Sequence, residues 1–182
     1  MVELLYSNNI NNLRTLIVTS IDVNHLDCNN DSILTYCCKN KIYEPIKTLA
    51  VAKNLNLNTF NNDDKTAAIY LVEDLRYTEL RQIVNKDMNF YYINRNNESA
   101  MSILFKKYYE YYHNRDIDKI LSTINVIKVL VDKSVNFNIS IDEQGNTPVM
   151  FLMMVEDWIS LSYIMFYHKN LDLSLKNIYG LW

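Results

Sequence analysis

The chain has 182 residues, 49% apolar and 21% charged, with a net charge of −3 at pH 7. That is enough chain for one domain with a sizeable core, and the mild acidity leaves no basic footprint for nucleic acid or an anionic membrane. No apolar run nears the ~18 residues of a membrane span, the opening MVELLYSNN lacks a signal-peptide pattern, and three cysteines, two adjacent, do not read as a disulfide framework.

In chain order, one six-residue signature appears four times, and a fifth time in part. It consists of Asp or Asn, two residues, a residue tolerant of positive φ, one residue, and Ser or Thr. The copies are Asp27, Asn30 and Ser32; Asn61, Asp64 and Thr66; Asn94, Asn97 and Ser99; Asp142, Gly145 and Thr147; then Asn177 and Gly180, with Trp182 in the last place. Gly takes a positive φ freely, and Asn or Asp more readily than other residues. The leading Asp or Asn bonds the turn backbone, and the closing Ser or Thr caps a helix. Thr147-Pro148 is the clearest start, since Pro favours the first helical position.

A second anchor lies about ten residues before each cap: an apolar pair, four residues, then Asp or Asn. It reads Leu16-Ile17 with Asp22, Ala50-Val51 with Asn56, Ile83-Val84 with Asn89, Leu130-Val131 with Asn136, and Phe166-Tyr167 with Asp172. Successive anchors are 34, 33, 47 and 36 residues apart. Each unit reads as turn, helix, helix, which divides a single domain, 1–182, into repeats at 2–24, 27–58, 61–91, 94–138 and 142–174. The first repeat lacks its leading turn and has helices at 2–7 and 11–19, with Leu13, Leu16 and Ile17 inward. A further repeat begins at 177–182, so the chain is expected to continue into more repeats unless Leu181 and Trp182 cover the open carboxy-terminal face.

The 47-residue interval exceeds the 33-residue spacing by 14 residues, all of helical character. In 102–112, Phe105, Tyr108, Tyr109 and Tyr112 share one helical face. After a cap at Asp116, Ile117, Ile120, Leu121, Ile124, Ile127 and Val131 form an apolar stripe. The spacing predicts one repeat with both helices lengthened by about two turns, or ~10 Å.

A period near 33 with turn, helix, helix resembles the ankyrin repeat, whose pattern is D-x-x-G-x-T-P-L-H-x-A followed by a helix ending L-L-x-x-G-A-D-V-N. The segments that carry the resemblance are DEQGNTPV (142–149) and LVDKSVNFN (130–138). Leu71, Leu104 and Leu152 replace the usual Ala, the family His is absent, and most turn glycines are replaced. The resemblance implies an all-α solenoid of stacked helix-turn-helix units with β-hairpin-like turns. It also implies a protein-interaction function, with turn tips and first-helix surfaces as binding elements. The abundance of Asn, Ile, Lys and Tyr resembles chains from AT-rich genomes, and the ankyrin-like pattern resembles divergent proteins of large DNA viruses. A viral chain would act in the host cytoplasm by recruiting a host protein.

Two sets of partner-binding residues stand out. On the lengthened hairpin, Tyr108, Tyr109, Tyr111 and Tyr112 either pack on Ile117, Ile120 and Ile124 or, with Tyr111 foremost, remain exposed as a patch. At the turn tips the candidates are Asn29, Asp31, Asp63, Lys65, Arg95, Glu98, Glu143 and Gln144, against a bland reading as solvated turns. No catalytic constellation is found: His25, His113 and His168 fall in different repeats, Cys37-Cys38 sits in a predicted helix, and two glycines cannot build a phosphate loop. No cofactor, metal or enzymatic activity is expected. The alternative function is a spacer or self-assembling element, stacking through its carboxy-terminal face.

Overall fold

The computed structural model describes residues 22–85 and 87–181. The helices expected at 2–7 and 11–19, and Trp182, lie outside the described residues. Within them the chain forms four helix pairs: α1 (Ile33–Lys39) with α2 (Ile46–Leu49), α3 (Ala67–Glu73) with α4 (Tyr77–Ile83), α5 (Ala100–Asn114) with α6 (Ile117–Asp132), and α7 (Pro148–Met154) with α8 (Trp158–Tyr167). No strand forms among the described residues. The turns are hairpin-like only to the extent of one isolated antiparallel bridge, Phe60 with Thr66.

Ser32, Thr66, Ser99 and Thr147 are the N-caps of α1, α3, α5 and α7, each side chain accepting the N–H three residues on. In the preceding turns Asn30, Asp64, Asn97, Gly145 and Gly180 have φ of 58°, 59°, 60°, 76° and 72°. A second left-handed position closes each first helix, at Lys41, Leu75, Arg115 and Glu156. The next N–H reaches back into that helix, from Ile42, Arg76, Asp116 and Asp157 to the carbonyls of Cys37, Leu71, Tyr111 and Leu152. This doubly bonded end satisfies carbonyls that a helix otherwise leaves open, and it reverses the chain into the second helix.

First helices α1, α3 and α5 stack side by side, as do second helices α2, α4, α6 and α8. Ala67, Ala68 and Ala100, all buried, allow the first helices to approach closely. Leu71, Leu104 and Leu152 are fully buried; each contributes about 2–3 kcal/mol of apolar transfer. In the first described pair the burial falls on Ile46 and Leu49 rather than on the Ala50-Val51 anchor, leaving Val51 63% exposed. Pro45 sits at the start of α2, which runs for only 4 residues.

Asparagines clip neighbouring units together. The Asn24 amide donates to the Asn54 carbonyl (2.7 Å) and its oxygen accepts the Asn56 N–H (2.7 Å). Asn58 does the same with Asp87 and Asn89, and Asn138 with Asn170 and Asp172. Between them, at position 91, a tyrosine hydroxyl replaces the amide. It donates to the Asn136 carbonyl (3.2 Å) and accepts the Asn136 N–H (2.7 Å).

Candidate interaction surfaces

The lengthened hairpin is the main departure from regular stacking. Helices α5 and α6 have 15 and 16 residues, against 7 each in α3 and α4. The extra eight or so residues per helix extend the hairpin by about 12 Å. Its root is held on both sides. Phe105 packs edge-on against Phe151 (5.3 Å between centroids), and the Lys107 ammonium donates to the Glu73 carbonyl oxygen (3.2 Å).

The four tyrosines divide by position. Tyr108 is fully buried, and its hydroxyl donates to Asp157 Oδ2 at 2.6 Å. Burial, reinforced by that carboxylate, pushes its phenol well above the ordinary range. Tyr108 is therefore an anchor rather than a binding residue. Tyr111, foremost in the exposed-patch alternative, is half-buried against the core, because its position on α5 faces inward one turn before the Arg115 reversal; burial raises its phenol too. Tyr109 and Tyr112 remain 46% and 43% exposed and flank the His113 ring. On α6, Ile117 and Leu121 are 61% and 54% exposed, so the first part of the expected apolar stripe is not covered. They lie beyond the last stacked neighbour, so only from Thr123 onward does α6 bury its apolar residues. The hairpin end is an apolar and aromatic tip edged by His113, Arg115, Asp118 and Lys119, all exposed.

The turn tips are largely engaged within the molecule. Asp31, expected at a tip, is buried: its carboxylate accepts the Asn61 amide (2.7 Å) and lies 3.6 Å from Lys39. Lys39 also pairs with Asp63 at 2.7 Å. That ammonium, with the Tyr70 hydroxyl, holds the Asp63 carboxyl below its usual range. Lys65 pairs with Glu73 and Glu98 with Lys106, each at 2.7 Å. Asp64 accepts the Tyr92 hydroxyl and the Arg95 N–H, which together lower its pKa, the hydroxyl contributing more. Asn29 lends its carbonyl to the Asn62 N–H, and Gln144 its carbonyl to that of Ile178. Asn29, Glu143 and Gln144 keep exposed side chains, and Glu143 has no ion-pair partner among the described residues.

The leading residues Asp27, Asn61, Asn94, Asp142 and Asn177 each use a side-chain oxygen to accept turn N–H groups. Cys37 and Cys38 are buried, and desolvation pushes the Cys37 thiol up to about 12 and the Cys38 thiol up as well. That disfavours the nucleophilic thiolate. His113 Nδ1 contacts the Tyr109 carbonyl and His168 Nε2 that of Val135, each at 3.0 Å. Among the described residues no group of His, Cys, Asp and Glu is placed to hold a metal ion. No described helix is long and apolar enough to cross a membrane.

No protein-family model matches the chain, and no curated protein matches it. Among solved structures it is similar to the crystal structure of an ankyrin repeat domain from Acinetobacter baumannii AYE. The TM-score is 0.62 at 18% identity, covering 88% of this chain and 76% of that one. The fold is that of an ankyrin repeat domain, with one helix pair lengthened into a projecting hairpin.

Proposed function

We propose that this chain is a protein-binding module whose main contact element is the free end of the α5–α6 hairpin. The observation that carries this is the contrast along the hairpin: Phe105 and Tyr108 fix the root, Tyr109 reaches Phe151 yet stays 46% exposed, and Tyr112 with Ile117 and Leu121 stands exposed toward the free end. Tyrosine suits such a role, because it offers large apolar area and a polar tip at low entropic cost. Among the expected tip residues, Glu143 and Gln144 are the best placed to extend the contact, since most of the other charged tips are paired internally. The repeats 27–58, 61–91, 94–138 and 142–174 act as the scaffold. If the compositional likeness to large DNA viruses reflects the source, the partner is a host protein and the site of action its cytoplasm.

The test is affinity capture from a cell lysate with the full chain beside a Tyr112→Ala/Leu121→Asp variant. Substitution is preferred to shortening 108–118, which would remove the Tyr108 anchor as well. A partner held by the parent chain and lost by the equally folded variant supports the hairpin. Retention of the same partner moves the contact to the turn tips, where Glu143→Lys/Gln144→Lys is the follow-up.

A further inference from the structure

Helix α8, WISLSYIMFY, contains no charged residue and is apolar all round, yet only Ser160 and Ile164 are buried. A helix of that character belongs inside a protein. Matching α8 to α4 through their equivalent starts, Asp157-Trp158 and Arg76-Tyr77, separates two kinds of exposed position. Leu161 and Met165 correspond to Leu80 and Val84, which are buried in the middle of the stack. Ile159, Ser162 and Phe166 correspond to Thr78, Arg81 and Asn85, which stay exposed although α4 has helices packed on both sides. Stacking therefore accounts for an opening at Leu161 and Met165, but it leaves Ile159 and Phe166, 66% and 81% exposed, in water.

We propose that a second copy of this chain covers this outward face: α8 packs antiparallel on α8 of the other molecule, about a twofold axis near Ser162. The charges flanking the helix favour that occupant. Glu156 precedes α8 and Lys169 follows it; both are exposed and neither has an ion-pair partner among the described residues. An antiparallel pair sets Glu156 of each copy against Lys169 of the other, whereas a parallel pair opposes like charges. The antiparallel arrangement also opposes the helix dipoles favourably. Near the axis, small Ser162 permits close approach, and Ile159 of one copy meets Phe166 of the other. A twofold interface requires this self-complementarity. The inference does not rest on the hairpin reading, whose tip lies on other helices.

Sedimentation velocity of the full chain, from about 1 μM to about 100 μM, tests it in a range that captures a micromolar association. The expected result is a rise from monomer to dimer mass. Phe166→Glu weakens association roughly tenfold or more, with unchanged circular dichroism because the side chain is exposed; Ile159→Lys is the second variant. Glu156→Lys and Lys169→Glu each weaken it alone, and together they restore it. A monomer at every concentration would overturn the proposal. So would a dimer indifferent to both apolar variants, or one that the double charge reversal fails to restore. Any of these outcomes leaves hairpin binding untouched.

Discussion

Tyr108→Phe isolates the link between the long hairpin and the unit that follows it. The ring stays, with its contacts to Phe151, and only the hydroxyl that donates to Asp157 Oδ2 is lost. Asp157 is 9% exposed, and its other oxygen caps α8 by accepting the Ser160 N–H at 3.0 Å. No water can easily take the place of the lost donor, so the change removes a hydrogen bond to a buried, charged acceptor. Such a bond contributes about 1.5–3 kcal/mol. For a chain of this size 1 kcal/mol moves the melting temperature by about 2–4 °C, so a loss of roughly 3–12 °C is expected. Urea titration should show a lower midpoint at unchanged slope. Combining Tyr108→Phe with Asp157→Asn in a double-mutant cycle should return a coupling energy of about 1–2 kcal/mol. If Tyr108→Phe costs less than about 0.5 kcal/mol, or if the two changes simply add, the hydroxyl is not what fastens the hairpin.

Asn58→Ala removes two inter-unit hydrogen bonds and should cost about 1–3 kcal/mol, read from urea midpoints; Tyr91→Phe should show a similar loss at the next junction, where its hydroxyl serves both bonds. Asn97 holds a φ of 60° with no side-chain hydrogen bond among the described residues. Asn97→Gly should therefore raise stability by up to about 1 kcal/mol, whereas Gly145→Ala, whose new Cβ would meet only ordinary contacts near 3.6 Å, should lose about 1 kcal/mol through backbone strain alone. Lys39 and the Tyr70 hydroxyl depress the folded pKa of Asp63 below its unfolded value. The stability it contributes is fully present above the ordinary carboxylate range and is lost as pH falls through that range to the lower folded value. Urea midpoints from pH 7 down to about 3 should fall less steeply in Asp63→Asn than in the parent chain.

How much was legible in the sequence depended on whether a backbone demand selects a residue type. A left-handed turn residue preceding a capped helix draws on Gly, Asn and Asp, and these stand at positions 30, 64, 97, 145 and 180 with positive φ. The equally left-handed ends of the first helices carry Lys41, Leu75, Arg115 and Glu156, residue types that give no signal. Their conformation comes from two backbone hydrogen bonds per turn, which no side chain announces. Periodicity revealed the long helices but not where the stack stops supporting them. Ile117 and Leu121 share the apolar spacing of Ile124 and Ile127, and only the reach of the neighbouring units exposes the first two and buries the others. Asp31 was misplaced for a related reason: its neighbour across the stack, Asn61, lies 30 residues away.

The asparagine content carried more structural information than its compositional likeness suggested. Asn24, Asn58 and Asn138 each follow an Asp or Asn by two residues, at 22, 56 and 136, and each bonds the next unit at both a carbonyl and an N–H. The exception is informative. After Asn89 the clip residue is Tyr91, whose side chain is several ångströms longer, and it joins the loop before the lengthened hairpin to the loop after it. At this junction the turns 94–99 and 142–147 share no hydrogen bond among the described residues, whereas the turns on either side are joined through Asn29 with Asn62, Asp64 with Arg95, and Gln144 with Ile178. Rings of Phe105, Tyr108, Tyr109 and Phe151 occupy the space between α5 and α7 that small residues close between α3 and α5. A longer clip, an unpaired turn and an aromatic filling all indicate wider spacing at one junction. The lengthened repeat is thus accommodated by a local change of side-chain size on the turn side of the stack, while α6 and α8 keep their contact on the other.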